Sequence, residues 1–219
     1  MRRLLPLLAC LAASPAGAEA NRSPDPGGSP GPVAAYVAAA RLLEQGFAAE
    51  DTVAVLAAVR LARAVHLRPA SGWSADPAAL PPAATEAGLP RDPGSEEAGK
   101  MLDLMVEGDE DLYLASEELL ADGLPPRGAS GQRAGLAPGG SVVWTLPFYG
   151  QSPAEIGLLG LSGGALELRV RDAEGAEICA PAPADPATLC AFTPARNGWF
   201  KVEITNPGEV AAGYLLLTN

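Results

Sequence analysis

Between residues 33 and 120 the apolar positions of this chain recur at steps of three and four; beyond about residue 141 they recur at steps of two. The first period is that of a helix with one buried face, and the second that of a strand with one buried face. Val33, Tyr36, Val37 and Ala40 predict a helix opening at Pro32, a residue tolerated in a first turn, and ending at Gly46. A second helix is expected from Asp51 or Thr52, either of which can accept a backbone N–H as N-cap. It would run through Val55, Val59, Ala62 and Val65 until Pro69 stops it, and the short connection makes the pair an antiparallel hairpin. Residues 69–94 are broken by Pro and Gly, with Trp73 and Leu80 expected to anchor onto neighbouring helices. Ser95 then caps a third helix whose first turn holds Glu96 and Glu97, where the helix dipole favours acids. Its buried stripe is Ala98, Met101, Leu102 and Met105. Gly108 closes it, Asp109 caps a fourth helix carrying Leu112, Leu119 and Leu120, and Gly123 before Pro125-Pro126 provides the stop.

In the second half, Val142 and Trp144 alternate with Val143 and Thr145; Leu166, Leu168 and Val170 with Glu167, Arg169 and Arg171; and Phe200, Val202 and Ile204 with Lys201, Glu203 and Thr205. Turn signals separate these runs at Gly163-Gly164, Asp172 to Gly175, Asn197-Gly198 and Asn206-Pro207-Gly208. The fold class implied is α+β: a helical region of about four helices over 32–123, a linker over 124–140, and an antiparallel β-sandwich of jelly-roll type over 141–219.

The N-terminus changes the picture of where such a chain works. Arg2 and Arg3, the apolar stretch Leu4 to Ala13 and the small residues Ala16-Gly17-Ala18 read as a signal peptide over 1–18, cleaved after Ala18. The stretch is about half the roughly 20 residues needed to cross a bilayer. Leu7-Leu8-Ala9-Cys10 also has the look of a lipoprotein cleavage box, but cutting there leaves too short an apolar core, so lipidation at Cys10 is the minority reading. Residues 19–31, rich in Pro, Gly and Ser, are expected to form a flexible leader, and Asn21-Arg22-Ser23 within them is taken as a chance glycosylation match. Export therefore places the protein in the periplasm or outside the cell. Loss of the two arginines leaves 13 basic against 26 acidic side chains. Without a cluster of Lys and Arg, nucleic acid is not expected as a partner; with no later apolar stretch long enough to span a bilayer, stable membrane insertion after signal cleavage is not expected either.

Within the sandwich region, Leu166-Glu167-Leu168-Arg169-Val170-Arg171-Asp172-Ala173-Glu174-Gly175 is a strand entering a D-x-x-G turn. It is followed by Gly198-Trp199-Phe200-Lys201-Val202-Glu203-Ile204 and by the closing Gly213-Tyr214-Leu215-Leu216. On these motifs the segment from about Ser141 to Asn219 resembles the bacterial pre-peptidase C-terminal domain, a small secreted β-sandwich often appended to exported peptidases. The family commonly carries two acids flanking a leucine before the D-x-x-G turn, and Ala165 and Glu167 stand at those places here. No metal or cofactor is assigned; a calcium site carried over by the resemblance would rest on Glu167 and Asp172, with Ala165 in place of the first acid.

Cys179 and Cys190 are the only cysteines beyond the first ten residues. In an oxidising compartment they are expected to form a disulfide clamping one hairpin, with a contribution of about 3 kcal/mol for a loop of this size. The competing readings, a metal pair or a reactive thiol, lack a histidine partner and a flanking cation respectively. No catalytic residue is assigned. His66, the only histidine, is placed at a helix end, where it would satisfy carbonyls. Gly157, Gly160, Gly163 and Gly164 lead into a strand, unlike a phosphate cradle. Asp109 and Asp111 have calcium-loop spacing, but Leu114 and Leu120 stand where a Gly and a Glu are required. The function expected is a non-enzymatic exported protein of bacterial envelope type, with a binding or assembly role toward an envelope protein or extracellular ligand. The alternative is an accessory or targeting module of an exported hydrolase or peptidase.

Overall fold

The computed structural model describes residues 19–24, 29–82, 88–121, 124–125, 127–183 and 186–219. The signal-peptide segment, the cleavage position and Cys10 lie outside them. Among the described residues, four helices, α1 (Pro32–Ala49), α2 (Thr52–Arg63), α3 (Glu96–Val106) and α4 (Glu110–Ala121), accompany ten strands. These are β1 (Val65–Pro69), β2 (Ser74–Asp76), β3 (Arg127–Leu136), β4 (Ser141–Phe148), β5 (Ala154–Ser162), β6 (Glu167–Arg171), β7 (Glu177–Cys179), β8 (Ala187–Phe192), β9 (Gly198–Thr205) and β10 (Ala212–Thr218). Two five-stranded sheets form: one in the order β1-β3-β10-β5-β8, hereafter the inner sheet, and one in the order β2-β4-β9-β6-β7, the outer sheet. All pairings are antiparallel except β1 with β3.

The alternation read from the sequence places the core between the sheets. Val142, Trp144, Leu146 and Phe148 of β4, Leu168 and Val170 of β6, and Phe200, Val202 and Ile204 of β9 enter it together with Tyr214 and Leu216 of β10. Phe148, Phe192 and Phe200 form a triad with ring centroids 5.1–5.6 Å apart, and the Trp144 indole N–H donates to the Tyr214 hydroxyl at 2.9 Å. A second core lies on the other face of the inner sheet, where Val33, Tyr36, Val37 and Ala40 of α1 meet Leu159, Leu215 and Leu217. Gly157 makes that approach possible, since a Cβ there would stand 2.6 Å from Val33 Cγ1. A third cluster, with Leu43, Val55, Val59, Ala98 and Leu102, joins α1, α2 and α3.

The caps expected at Asp51, Ser95 and Asp109 are formed: Asp51 Oδ1 accepts from Ala54 N at 3.0 Å, Ser95 Oγ from Ala98 N at 3.1 Å, and Asp109 Oδ1 from Leu112 N at 3.0 Å. Other expectations are corrected. Gly46 does not end α1; it lets α2 come close, with its notional Cβ 2.8 Å from Val55 Cγ2, and the stop is Glu50 in the left-handed region (φ 53°). The second helix ends at Arg63, and Val65–Pro69 is strand β1, because Arg127 to Gly131 offers it a parallel partner. The expected linker over 124–140 contains that partner, the ten-residue β3. Its small residues hide it from a periodicity reading but suit it to lie under bulky neighbours, as Gly131 does beneath Leu215 and Leu217. Trp73 and Leu80 anchor onto the sandwich rather than onto helices. Trp73 stacks edge-on against Trp144 at 6.1 Å, and the backbone of Leu80 bridges to Gly135.

The two sandwich edges are closed differently. At one, β1 and β2 carry the chain from the inner sheet to the outer sheet. At the other, β8 and β7 are joined by the Cys179–Cys190 disulfide (Cα–Cα 6.3 Å). The bond thus ties two sheets together instead of clamping a hairpin. Nearby, the expected flexible leader is docked over residues 20–23. Asn21 N donates to Asp172 Oδ2 at 2.8 Å, Arg22 Nη1 to Ile178 O at 3.1 Å and Ser23 N to Thr193 O at 2.7 Å.

Candidate binding surface

The buried carboxylates are the natural first place to look for chemistry, and each is occupied by structural donors. Glu155, on β5, accepts from Gly31 N at 2.6 Å, Val33 N at 3.0 Å and Ala34 N at 3.1 Å, so it caps α1 from another layer. Asp92 accepts from the Tyr36 hydroxyl at 2.5 Å, from Gly94 N at 3.0 Å and from Arg133 Nη2, and so fastens α1 and β3 to the loop before α3. Burial, reinforced by the negative charge of Asp92, pushes the Tyr36 phenol well above its ordinary range. Burial also raises Tyr214, partly offset by the hydrogen bond from Trp144.

Asp172 is fully buried and binds Ala176 N and Asn21 N at 2.8 Å each. Glu167 is exposed at the far end of β6, roughly 16 Å away at strand rise. The structure therefore does not bring the two calcium candidates together. Among the described residues no three His, Cys, Asp or Glu side chains cluster as a metal site. His66 lies exposed on β1 rather than at a helix end. Asn21, the residue of the glycosylation match, is buried with its amide spent on Arg196: Nδ2 donates to Arg196 O at 3.0 Å and Oδ1 accepts from Arg196 N at 2.9 Å.

The conspicuous surface feature is aromatic. Inward alternation along β4 ends at Phe148, which sends Tyr149 outward; inward alternation along β9 begins at Phe200, which sends Trp199 outward. Register pairs Pro147 with Trp199 and Phe148 with Gly198, so both rings emerge at one end of the outer sheet. Tyr149 is 78% and Trp199 53% exposed. With Pro147, Phe148, Asn197 and Gly198 they line a shallow concavity of about 360 Å³.

The turn that carries Tyr149 is locked. Gly150 N donates to Asn197 Oδ1, Gln151 N to Pro194 O and Gln151 Nε2 to Ala195 O, all at 2.8 Å. Gly150 lies so close to the opposite loop that a Cβ would stand 2.6 Å from Arg196 Cα. Gln151 adopts φ 60°, an unfavourable conformation held by its two hydrogen bonds. The 194–197 loop is in turn held by Asn21 and by the Arg196–Glu174 ion pair at 3.2 Å. Neither ring was singled out from the sequence as a site, although the phase of each strand already pointed both outward; what the phase could not supply was their adjacency.

A larger cleft of about 570 Å³ opens between the C-terminal half of α1 and the end of β5, with Phe47, Leu89, Leu161 and Val210 on its walls.

No family model matches the chain, and no curated protein matches it. Similar solved structures exist. A pre-peptidase C-terminal domain of a collagenase from Bacillus anthracis is 13% identical, with a TM-score of 0.37, over 41% of this chain and 87% of that domain. The C-terminal region resembles such a domain. A mutant of a family 29 carbohydrate-binding module is 15% identical, with a TM-score of 0.27, over 41% of this chain and 70% of that module. The capsular polysaccharide assembling protein CapF from Staphylococcus aureus is 14% identical, with a TM-score of 0.23; the match covers 56% of this chain and 44% of CapF.

Proposed function

We propose that this protein is an exported, non-enzymatic binding module of a bacterial envelope, periplasmic or secreted, that engages its ligand through the Tyr149–Trp199 surface. The carrying observation is that two large rings are held in water side by side, Tyr149 on a turn locked to the facing loop and Trp199 on β9. Exposed aromatics on a rigid mount lose little conformational freedom on contact, which is the property of a preorganised recognition surface. Export is supported by the basic-apolar-small pattern of residues 1–18 and by the Cys179–Cys190 bond, which suits an oxidising compartment.

Co-sedimentation with a washed envelope fraction of the native host tests the reading. The wild-type chain is expected in the pellet, and a Tyr149→Ala/Trp199→Ala double variant in the supernatant with unchanged thermal stability. Equal behaviour of the two proteins would dismiss this surface as the point of contact.

A further inference from the structure

We propose that the Tyr149–Trp199 surface binds the hexose rings of a neutral polysaccharide, an inference that rests on the reading of that surface as the contact face. Three features of the site select this chemistry.

First, the site offers ring faces and few free directional groups. Asn197 Oδ1, the Gly150 and Gln151 amides and the Gln151 side-chain amide donor are already engaged within the two loops. A hexose ring suits such a surface, because one of its faces is lined by C–H groups that stack on an aromatic ring. Its hydroxyl rim can remain in water or reach the Tyr149 hydroxyl.

Second, the site is shallow and small. β4 and β9 pair with each other from Ser141–Thr205 to Phe148–Gly198, so the backbone groups that the two strands turn toward one another beneath the rings are already engaged. The concavity of about 360 Å³ also lies near the lower limit of small-ligand sites, roughly 300–1,000 Å³, and is too small to seat a helix.

Third, the neighbouring charges answer one another. Arg196 pairs with Glu174 at 3.2 Å and Arg171 with Glu203 at 3.0 Å. Arg169 pairs with Glu177 at 3.4 Å, which leaves Lys201, two residues along β9 from Trp199, as the unpaired cation of this face among the described residues. An anionic polymer would thus find a single unpaired cation here, and most of the contact falls to the rings.

The test is affinity electrophoresis of the full chain in gels containing a soluble β-glucan, an α-glucan, a mannan or a uronic-acid polymer. Quenching of tryptophan fluorescence is followed in parallel, with a proline-rich peptide as a further arm. Retardation by at least one neutral polymer is expected. Trp199→Ala or Tyr149→Ala should weaken it about tenfold or more, while Trp199→Phe and Tyr149→Phe should retain most of it. The melting temperature should not move in any of the four. Retardation by the uronic-acid polymer alone, lost in Lys201→Ala and kept in Trp199→Ala, would overturn the proposal in favour of an ionic ligand. Binding of the peptide alone, sensitive to both rings, would overturn the sugar assignment and leave the contact face standing. Failure of every probe to bind in a ring-dependent way overturns the proposal, and the envelope sedimentation experiment then decides the fate of the contact face separately.

Discussion

Along β10, Tyr214 and Leu216 enter the core between the sheets while Leu215 and Leu217 meet α1; along β9, Phe200, Val202 and Ile204 enter the same core while Trp199 and Lys201 face water. The inner sheet is thus covered on both faces and the outer sheet on one. A strand covered on both faces has every side chain committed to packing, and β10 accordingly reads as a continuous apolar run, as doubly covered strands do. A strand covered on one face keeps alternate positions that stability hardly constrains. Those positions are free to carry recognition, and it is there that two of the exposed aromatic side chains are found.

Substitution can break the comparison in graded steps. The largest effect is expected at Leu217, fully buried against α1: Leu217→Ala should cost about 2–5 kcal/mol in urea unfolding. The outward-facing Lys201→Ala should stay within about 0.5 kcal/mol. Equal losses at the two positions would deny that the sheets differ.

Opening the sheet-to-sheet bond comes next. Cys179→Ser together with Cys190→Ser should cost about 3 kcal/mol, and reductant should lower the urea midpoint of the wild type but not of the double variant.

A smaller loss, about 1–3 kcal/mol, is expected for Glu155→Ala, which leaves the Gly31, Val33 and Ala34 amides without their acceptor where α1 meets the inner sheet. Far-ultraviolet circular dichroism during unfolding would show it as a lower midpoint.

The Tyr36–Asp92 contact makes the helical layer sensitive to alkali. The Tyr36 phenol is held neutral in the folded state beyond its ordinary value of 10.0, so unfolding releases a proton. Its contribution is intact below pH 10 and declines as pH rises above it. Denaturation midpoints measured from pH 8 upward should fall more steeply for the wild type than for Tyr36→Phe.

The smallest effect belongs to the aromatic surface. Tyr149→Ala and Trp199→Ala should each leave the unfolding free energy within about 0.5 kcal/mol, because neither ring is buried. A loss of several kcal/mol at either would show that the ring supports the fold rather than a ligand.

The strand alternations, the helix starts at Pro32, Thr52, Glu96 and Glu110 and three of their caps were legible because each depends on residues a few positions apart. The D-x-x-G turn was legible too, but not its use: Asp172 was read as a calcium candidate, whereas its carboxylate holds the turn and the leader. β1, β3 and the docked leader escaped notice because their partners are remote. Val65 has apolar neighbours at helical spacing, and only the backbone of Arg127 makes it a strand. Asn21 lies in a segment without periodicity, and only the loop around Arg196 immobilises it. Glu155 is one acid among 26 in the sequence, and nothing near it announces that it will cap a helix more than a hundred residues earlier.

By itself, then, the sequence determined the α+β class, the face that β4, β6 and β9 turn inward and the outward phase this gives Tyr149 and Trp199, since these follow from periodicity within a single element. The tertiary structure alone decided that the two rings share one locked surface, that the disulfide ties sheet to sheet, that Glu155 caps α1 and that Asp172 holds its turn and the leader. The physical reason is that each of these depends on strand register and on backbone donors brought together from distant parts of the chain, which residue spacing does not encode.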